Sequence, residues 1–383
     1  MSSTTTALPG NATEPLGNTD TKSVTRYPTP TVGNTVTLYA NVSSVLDGDE
    51  PRGLRPTFGV CSDGIAIFYP GQVNVLFGDP ESGKTMLALA VAVALINAGL
   101  RVAIIDLDHN GAPAILDRLI DLGADEDKLR DLAHFRYVDP DDGAHVLEVV
   151  GDLLAWGVDF VLVDSLGELI PAFGGASNSP DDYTRVHGLV LKPLAKGGAC
   201  VVGIDHLAKN TESRAMGATG TAAKKRAVGG SMLRVTVADA FTPGKGGAAH
   251  VTIAKDRHGG LRKHRPTGDK EPLAATFTMS GDYDNPWSLI APAAGERNPT
   301  EAAPEADVDA VRALNPAPTS VRDARSRLKW NNQRTATAFR DWKRYRVTHT
   351  GGAVTGNTCT ACGEVMTLTL DGATTHPTCE EMP

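Results

Sequence analysis

Aromatic residues make up only 5% of the 383-residue chain, and cysteines number five. No apolar run reaches the roughly 18 residues that a membrane-spanning helix needs. The nearest, residues 86–95, is short and Ala-rich and reads as a buried helix. The amino terminus, MSSTTTALPGNATEPLG, lacks the basic-then-apolar pattern of a secretory signal, so the expected location is the cytoplasm. Positive charge is also in deficit. The net charge is −8, so no global field gathers nucleic acid, and any such contact must come from local basic patches. Cys61 and Cys200 stand alone in apolar surroundings and read as inert. The other three cysteines cluster near the C-terminus, which suggests metal rather than disulfides.

What is present is an alternation. Residues 65–69 and 73–77 are β-rich runs joined by the turn Pro70-Gly71. Helical spacing runs from 85 to about 98, from 112 to 122 and from 144 to 156, each stretch closed by a glycine: Gly99, Gly123 and Gly157. Residues 182–195 read as a further helix. Between these helices lie apolar strands at 102–106, 135–138, 160–164 and 199–205. Buried strands alternating with helices imply an α/β fold, a mostly parallel sheet flanked by helices. Later strands are expected at 233–241, 249–255 and 275–280. The expected organisation is a largely disordered segment 1–57, a nucleotide-binding domain 58–290, a linker 291–305, a helical unit 306–348 and a tail 349–383. Within the first segment, residues 36–46 are expected to form one short element packed on the core.

Gly78-Asp79-Pro80-Glu81-Ser82-Gly83-Lys84-Thr85 fits the pattern G-x-x-x-x-G-K-[ST]. Glycines let backbone N–H groups curl around phosphate, Lys84 reaches the β- and γ-phosphates, and the Thr85 hydroxyl holds Mg²⁺. A strand precedes the loop and a helix follows, as the chemistry requires, because the phosphates then sit at a helix N-terminus. The expected ligand is ATP with Mg²⁺. Asp164 closes the strand Phe-Val-Leu-Val-Asp, where a carboxylate can hold the Mg²⁺ shell.

The blocks Glu-Ser-Gly-Lys-Thr, Asp-Leu-Asp-His-Asn-Gly, Val-Asp-Ser-Leu-Gly-Glu-Leu and Ala-Lys-Asp-Arg-His-Gly together resemble the RepA-like helicases, a DnaB/RecA-type family of plasmids and phages. The resemblance covers roughly residues 65–264. It implies a RecA-like P-loop core and a ring-shaped homo-oligomer, usually a hexamer, with ATP sites between subunits. It places the water-orienting carboxylate at Asp108, with Asp106 the second candidate, and a γ-phosphate sensor at His206. It also implies that Lys255 and Arg257 reach into a neighbouring subunit's nucleotide, Arg257 stabilising the transferred phosphoryl group. The loop 210–227, with Arg214, Lys224, Lys225 and Arg226, corresponds to the channel loop that touches single-stranded DNA. The function so implied is an ATP-hydrolysing DNA motor. A DNA-binding assembly or regulatory protein that uses ATP as a switch is the alternative, because both share the nucleotide pocket.

Residues 307–314, 321–328 and 333–342 are amphipathic, with Ser320 and Asn331 or Asn332 as helix caps. Val321, Ala324, Leu328, Ala338, Phe339 and Trp342 could form a small core. From Val321 to Arg346, nine Lys/Arg outnumber two Asp/Glu, so the unit resembles a helix-turn-helix with its last helix facing DNA. Cys359-x-x-Cys362 followed by His376-x-x-Cys379 is a four-ligand set suited to tetrahedral Zn²⁺. Metal would supply the folding energy that so short and polar a tail lacks. The purified chain is therefore expected to carry about one zinc. Elemental analysis of protein prepared without chelator checks this, and metal-free protein would remove the zinc reading.

Overall fold

The structure is a computed structural model that describes residues 42–47, 53–207, 222–282, 284–299 and 301–349. The four proposed zinc ligands, Arg214 and most of the segment 1–57 lie outside the described residues. Helix α1 (Val42–Asp47) exposes Val42 and Leu46, so the described part of that early element is not packed on the core as expected. Among the described residues, no helix is long and apolar enough to cross a membrane.

Strands β1 (Phe58–Val60) and β2 (Ala66–Phe68) pair antiparallel as a small separate sheet. The Pro70-Gly71 turn leads from β2 to β3 (Val73–Gly78), but these two strands do not pair. The Asn74 carboxamide takes that role, accepting from Tyr69 N at 3.0 Å and donating to Tyr69 O at 3.0 Å.

Six strands then build the parallel part. Helix α2 (Lys84–Asn97) leaves β3, followed by β4 (Val102–Asp106), α3 (Ala112–Asp121), α4 (Glu126–Arg130), β5 (Phe135–Val138) and α5 (Gly143–Trp156). Next come β6 (Phe160–Asp164), α6 (Leu166–Ala172), α7 (Pro180–Leu189), α8 (Leu191–Lys196) and β7 (Cys200–His206). The helix expected across 182–195 is two helices, because Pro193 has no N–H to give the carbonyl of Leu189. Helix α2 is buried on almost every side, which explains its uniformly apolar Ala/Leu/Val composition.

After α9 (Ala222–Ala227), the chain adds β8 (Ser231–Thr242), β9 (Gly246–Asp256), β10 (Leu273–Ser280) and β11 (Trp287–Ile290). The nine-stranded order is β11-β10-β9-β8-β3-β7-β6-β4-β5. Strand β8 is parallel to β3, and β9, β10 and β11 follow antiparallel. One apolar core, with α2 and α3, covers one face. A second, with α5 to α8, covers the other. Cys61 and Cys200 are buried free thiols, and burial pushes the Cys61 thiol up to about 11, which keeps it unreactive.

The C-terminal unit is α10 (Glu305–Arg312), α11 (Val321–Leu328) and α12 (Asn332–His349). Ser320 caps α11 by accepting from Asp323 N, and Asn331 accepts from Arg334 N. Its core is Val311, Ala338 and Trp342 with Leu328 and Phe339 against them, and Ala324 is also buried.

In the segment 291–305, expected as a linker, Arg297 and Glu301 clasp the larger domain. Arg297 Nε donates to Asp269 at 2.6 Å, and its Nη1 binds Asp341 of α12. The Glu301 carboxylate accepts from the N–H groups of Lys270 and Glu271 at 3.0 and 2.8 Å. Asp269 is nearly buried, at 2% side-chain exposure, so removing its cation leaves an uncompensated charge. Arg297→Ala should therefore cost about 3–5 kcal/mol in urea denaturation; a loss below about 1 kcal/mol would show that the clasp does not hold the unit.

Candidate nucleotide site

Every residue of β3 is buried, and β7 and β8 pair with its two edges in the same direction. The carboxyl ends of β3, β7, β6 and β4 therefore lie along one edge of the sheet. The loop Gly78–Thr85 leaves β3 there, and α2 begins at Lys84. Two glycines in it have no substitute. A Cβ on Gly78 would sit 2.3 Å from the Val235 carbonyl, and one on Gly83, which has φ 86°, would sit 2.5 Å from the Phe241 ring. Phe241, near the far end of β8, thus packs on the phosphate loop, a contact with no signal in the sequence. Asp79, Pro80 and Glu81 are exposed on the loop, while Ser82 is buried.

The Lys84 ammonium folds back over the loop and donates to Asp79 O at 2.6 Å and Ser82 Oγ at 3.3 Å. Burial draws its pKa down, opposed by the carboxylates of Asp164, Asp79, Asp205 and Asp108. Thr85 Oγ1 donates to Asp164 Oδ2 at 3.0 Å, so the hydroxyl and carboxylate expected to share Mg²⁺ already touch. Burial, with Asp108 beside it, pushes the Asp164 carboxyl up to about 6. A crowded acid of this kind, next to a hydroxyl and a lysine, fits a divalent cation and phosphate.

The two candidate acids at the end of β4 separate clearly. Asp106 is fully buried and satisfied, accepting from Asn110 Nδ2 at 3.0 Å, Gly111 N at 3.1 Å and Tyr137 OH at 2.9 Å. It shapes the turn into α3. Asp108 lies past the strand end, accepts from Ser165 Oγ at 2.6 Å and stands 3.9 Å from His206 Nε2. The imidazole and then the hydroxyl hold its carboxyl below the usual carboxylate range. His206 pairs in register with Gly78. Asp108, Asp164, His206, Lys84 and Thr85 are thus brought together.

Other expectations are redirected. Lys224 was expected to face DNA, but its ammonium is buried, 2.8 Å from Asp205, whose other oxygen accepts from His206 N at 3.0 Å. A buried acid near the end of β7 needs that cation. Its neighbours Lys225 and Arg226 are exposed. Lys255 was expected to touch nucleotide, but its ammonium donates to the carbonyls of Lys225 at 2.6 Å and Val228 at 2.7 Å, closing the end of α9. Arg257 is exposed, and its backbone N donates to Gly230 O. Gly230 N in turn donates to Val73 O, at the start of β3. Arg257 therefore lies at the opposite end of β3 from the phosphate loop, about 16 Å away at 3.3 Å per residue. Asp256, which sequence reading passed over, fixes this turn. Its carboxylate accepts from Tyr69 OH at 2.6 Å and from the N–H groups of Gly259, Leu261 and Arg262.

The family described as RecA N-terminal domain matches residues 60–181. Protein RecA of Mycobacterium ulcerans (strain Agy99) is 33% identical over 140 residues, 35% of this chain and 38% of the relative. Protein RecA of Thermotoga neapolitana is 32% identical over 141 residues, with the same coverage. The chain thus spans less than two-fifths of the length of these relatives. A KaiC-like protein from Pyrococcus horikoshii OT3 superposes with a TM-score of 0.43 at 14% identity, covering 62% of this chain and all of the other. The fold is RecA-like, a large mostly parallel sheet flanked by helices with a phosphate loop after its central strand.

The raised Asp164 carboxyl has a defined sign. Unfolded, it ionises near 3.8; folded and metal-free, near 6. Between those values the folded state holds the extra proton, so stability falls as pH rises, and above about 6 the buried charge carries its full cost. In EDTA without nucleotide, Asp164→Asn should stabilise the protein by up to about 3 kcal/mol at pH 8, less at pH 5 and only about 0.5 kcal/mol near pH 4. Denaturant titrations at these pH values check it; a gain that does not depend on pH would contradict it.

Proposed function

We propose that this chain, built on a RecA-like P-loop core, binds and hydrolyses ATP with Mg²⁺ and works as a DNA motor, a ring-shaped helicase of the kind that serves replication of a mobile genetic element. The observation that carries the reading is the convergence of Lys84, Thr85, Asp164, Asp108 and His206 at the carboxyl ends of adjacent strands. Lys84 and the loop amides hold the phosphates, and Thr85 with Asp164 holds Mg²⁺, which neutralises phosphate charge when bound. Asp108, kept ionised by its neighbours, orients the attacking water. His206, 3.9 Å from Asp108 and in register with the loop, is placed to sense whether the γ-phosphate is present.

The position of Arg257 supports a shared site. It cannot serve its own nucleotide from the far end of β3, yet it is exposed and held in a rigid turn. In a ring it would meet the next subunit's phosphates and stabilise transition-state charge. Lys255, in this reading, is a positioning residue that anchors α9 beside it. Exposed Lys225 and Arg226 and the basic C-terminal unit would contact DNA.

Lys84→Ala should abolish hydrolysis with the fold intact. Arg257→Ala should bind ATP nearly normally and lose about 10³-fold in turnover. Mixed after demonstrated subunit exchange, the two inactive proteins should regain activity, because a mixed interface can pair an intact loop with an intact arginine. No recovery at any ratio would remove the in-trans role. Strand displacement on forked but not blunt substrates separates a motor from an ATP-driven switch.

A further inference from the structure

The helical unit at the C-terminal side is charged oppositely to the chain as a whole. Nine Lys/Arg against two Asp/Glu lie between Val321 and Arg346, in a chain of net charge −8. The sequence pointed to the last helix, α12, as the DNA-facing one. Two of that helix's cations, Arg334 and Arg340, are committed to other contacts.

Cations near the start of α12 are engaged. Arg334 donates through Nε and Nη2 to Asp307 at 2.8 and 2.7 Å and lies over the Trp330 ring at 4.2 Å. Arg340 donates to Glu301 O at 3.0 Å and stands 3.5 Å from Asp341. On α11, Arg327 donates to Pro316 O at 2.7 Å and faces Asp323 at 3.8 Å. By contrast, Arg322, Arg325 and Lys329 are exposed and make no ion pair or side-chain hydrogen bond with another described residue. Their spacing of three puts Arg322 and Arg325 on one side of α11, away from buried Ala324, and Lys329 follows at the C-cap, where φ is 59°. Ser326, also exposed, sits among them.

We propose that Arg322 and Arg325 of α11, with Lys329 at its C-cap, bind the phosphate backbone of nucleic acid. This rests on the reading that the chain works on DNA and names the surface that does so. Among the described residues no acidic side chain pairs with the stripe, so its counter-charge must come from elsewhere. A row of cations without an aromatic platform gives charge-driven, sequence-tolerant binding rather than base readout.

The test uses the full chain without nucleotide, with fluorescence anisotropy on a 20-bp duplex and on dT20 between 50 and 200 mM salt. R322A/R325A/K329A should weaken binding more than tenfold at 50 mM. It should also lower the log–log salt slope by about 2.7 on duplex or about 2 on single strands, from about 0.9 or 0.7 per lost contact. The matched control K343A/R344A/R346A removes as much charge from α12 and should change affinity less than threefold. Far-UV circular dichroism and DNA-free ATP turnover should match wild type in both. R322K/R325K/K329R keeps the charge and should keep the affinity. Equal or greater loss in the α12 variant, or loss in the charge-preserving one, overturns the proposal. So does a stripe variant that binds DNA normally but fails on anionic vesicles. Wild-type protein that hydrolyses ATP without binding DNA would sink both this surface and the DNA reading. Normal DNA binding by the stripe variant would sink only the surface.

Discussion

Strand β3 lies at the heart of the sheet, buried throughout and paired on both edges with strands that run its way. Almost everything functional follows from that constraint. Parallel pairing forces each connection to cross back over a face, so loops that leave strand ends collect on one edge of the sheet. The phosphate loop, Asp164, Asp108 and His206 all leave from that edge. The same rule places Arg257 at the other end, because β9 runs against β8 and brings the chain back down the sheet. A phosphate cradle and a distant arginine are thus consequences of strand direction.

Four acids gather at or near that edge, and each is accommodated differently. Asp106 accepts three hydrogen bonds and becomes part of the turn. Asp205 is matched by a buried lysine. Asp108 remains partly exposed beside a serine and a histidine. Asp164 has a threonine hydroxyl and lies near the Lys84 ammonium, but burial and the neighbouring Asp108 outweigh them and its pKa rises. A buried carboxylate without a counter-ion is costly unless something supplies positive charge. The cost falls where a metal would relieve it.

The C-terminal unit depends on the same sheet through a different chemistry. Residues that read as a linker carry Arg297 and Glu301, and these reach acids and backbone N–H groups of the loop before β10. Arg234, which pairs with Phe77 across β8 and β3, donates to Glu271 in that same loop. The helical unit is therefore held by ionic contacts that start one residue from the phosphate loop. A Pro/Ala-rich composition hides this, since two charged residues decide it.

The sequence by itself determined the strand–loop–helix of residues 73–97, the alternating α/β pattern and the glycine helix ends at Gly99, Gly123 and Gly157, all of positive φ. These features are local. A glycine at positive φ and an apolar strand leave their marks within a few residues. Only the tertiary structure separates the surroundings of Asp106 and Asp108, because the groups that tell them apart, Tyr137 and Ser165, lie 31 and 57 residues away. It also decided which lysine turns inward at α9, and that Lys255 closes that helix. Adjacent lysines are alike in sequence; the buried carboxylate and the open carbonyls that select among them belong to strands and turns the chain brings back from elsewhere.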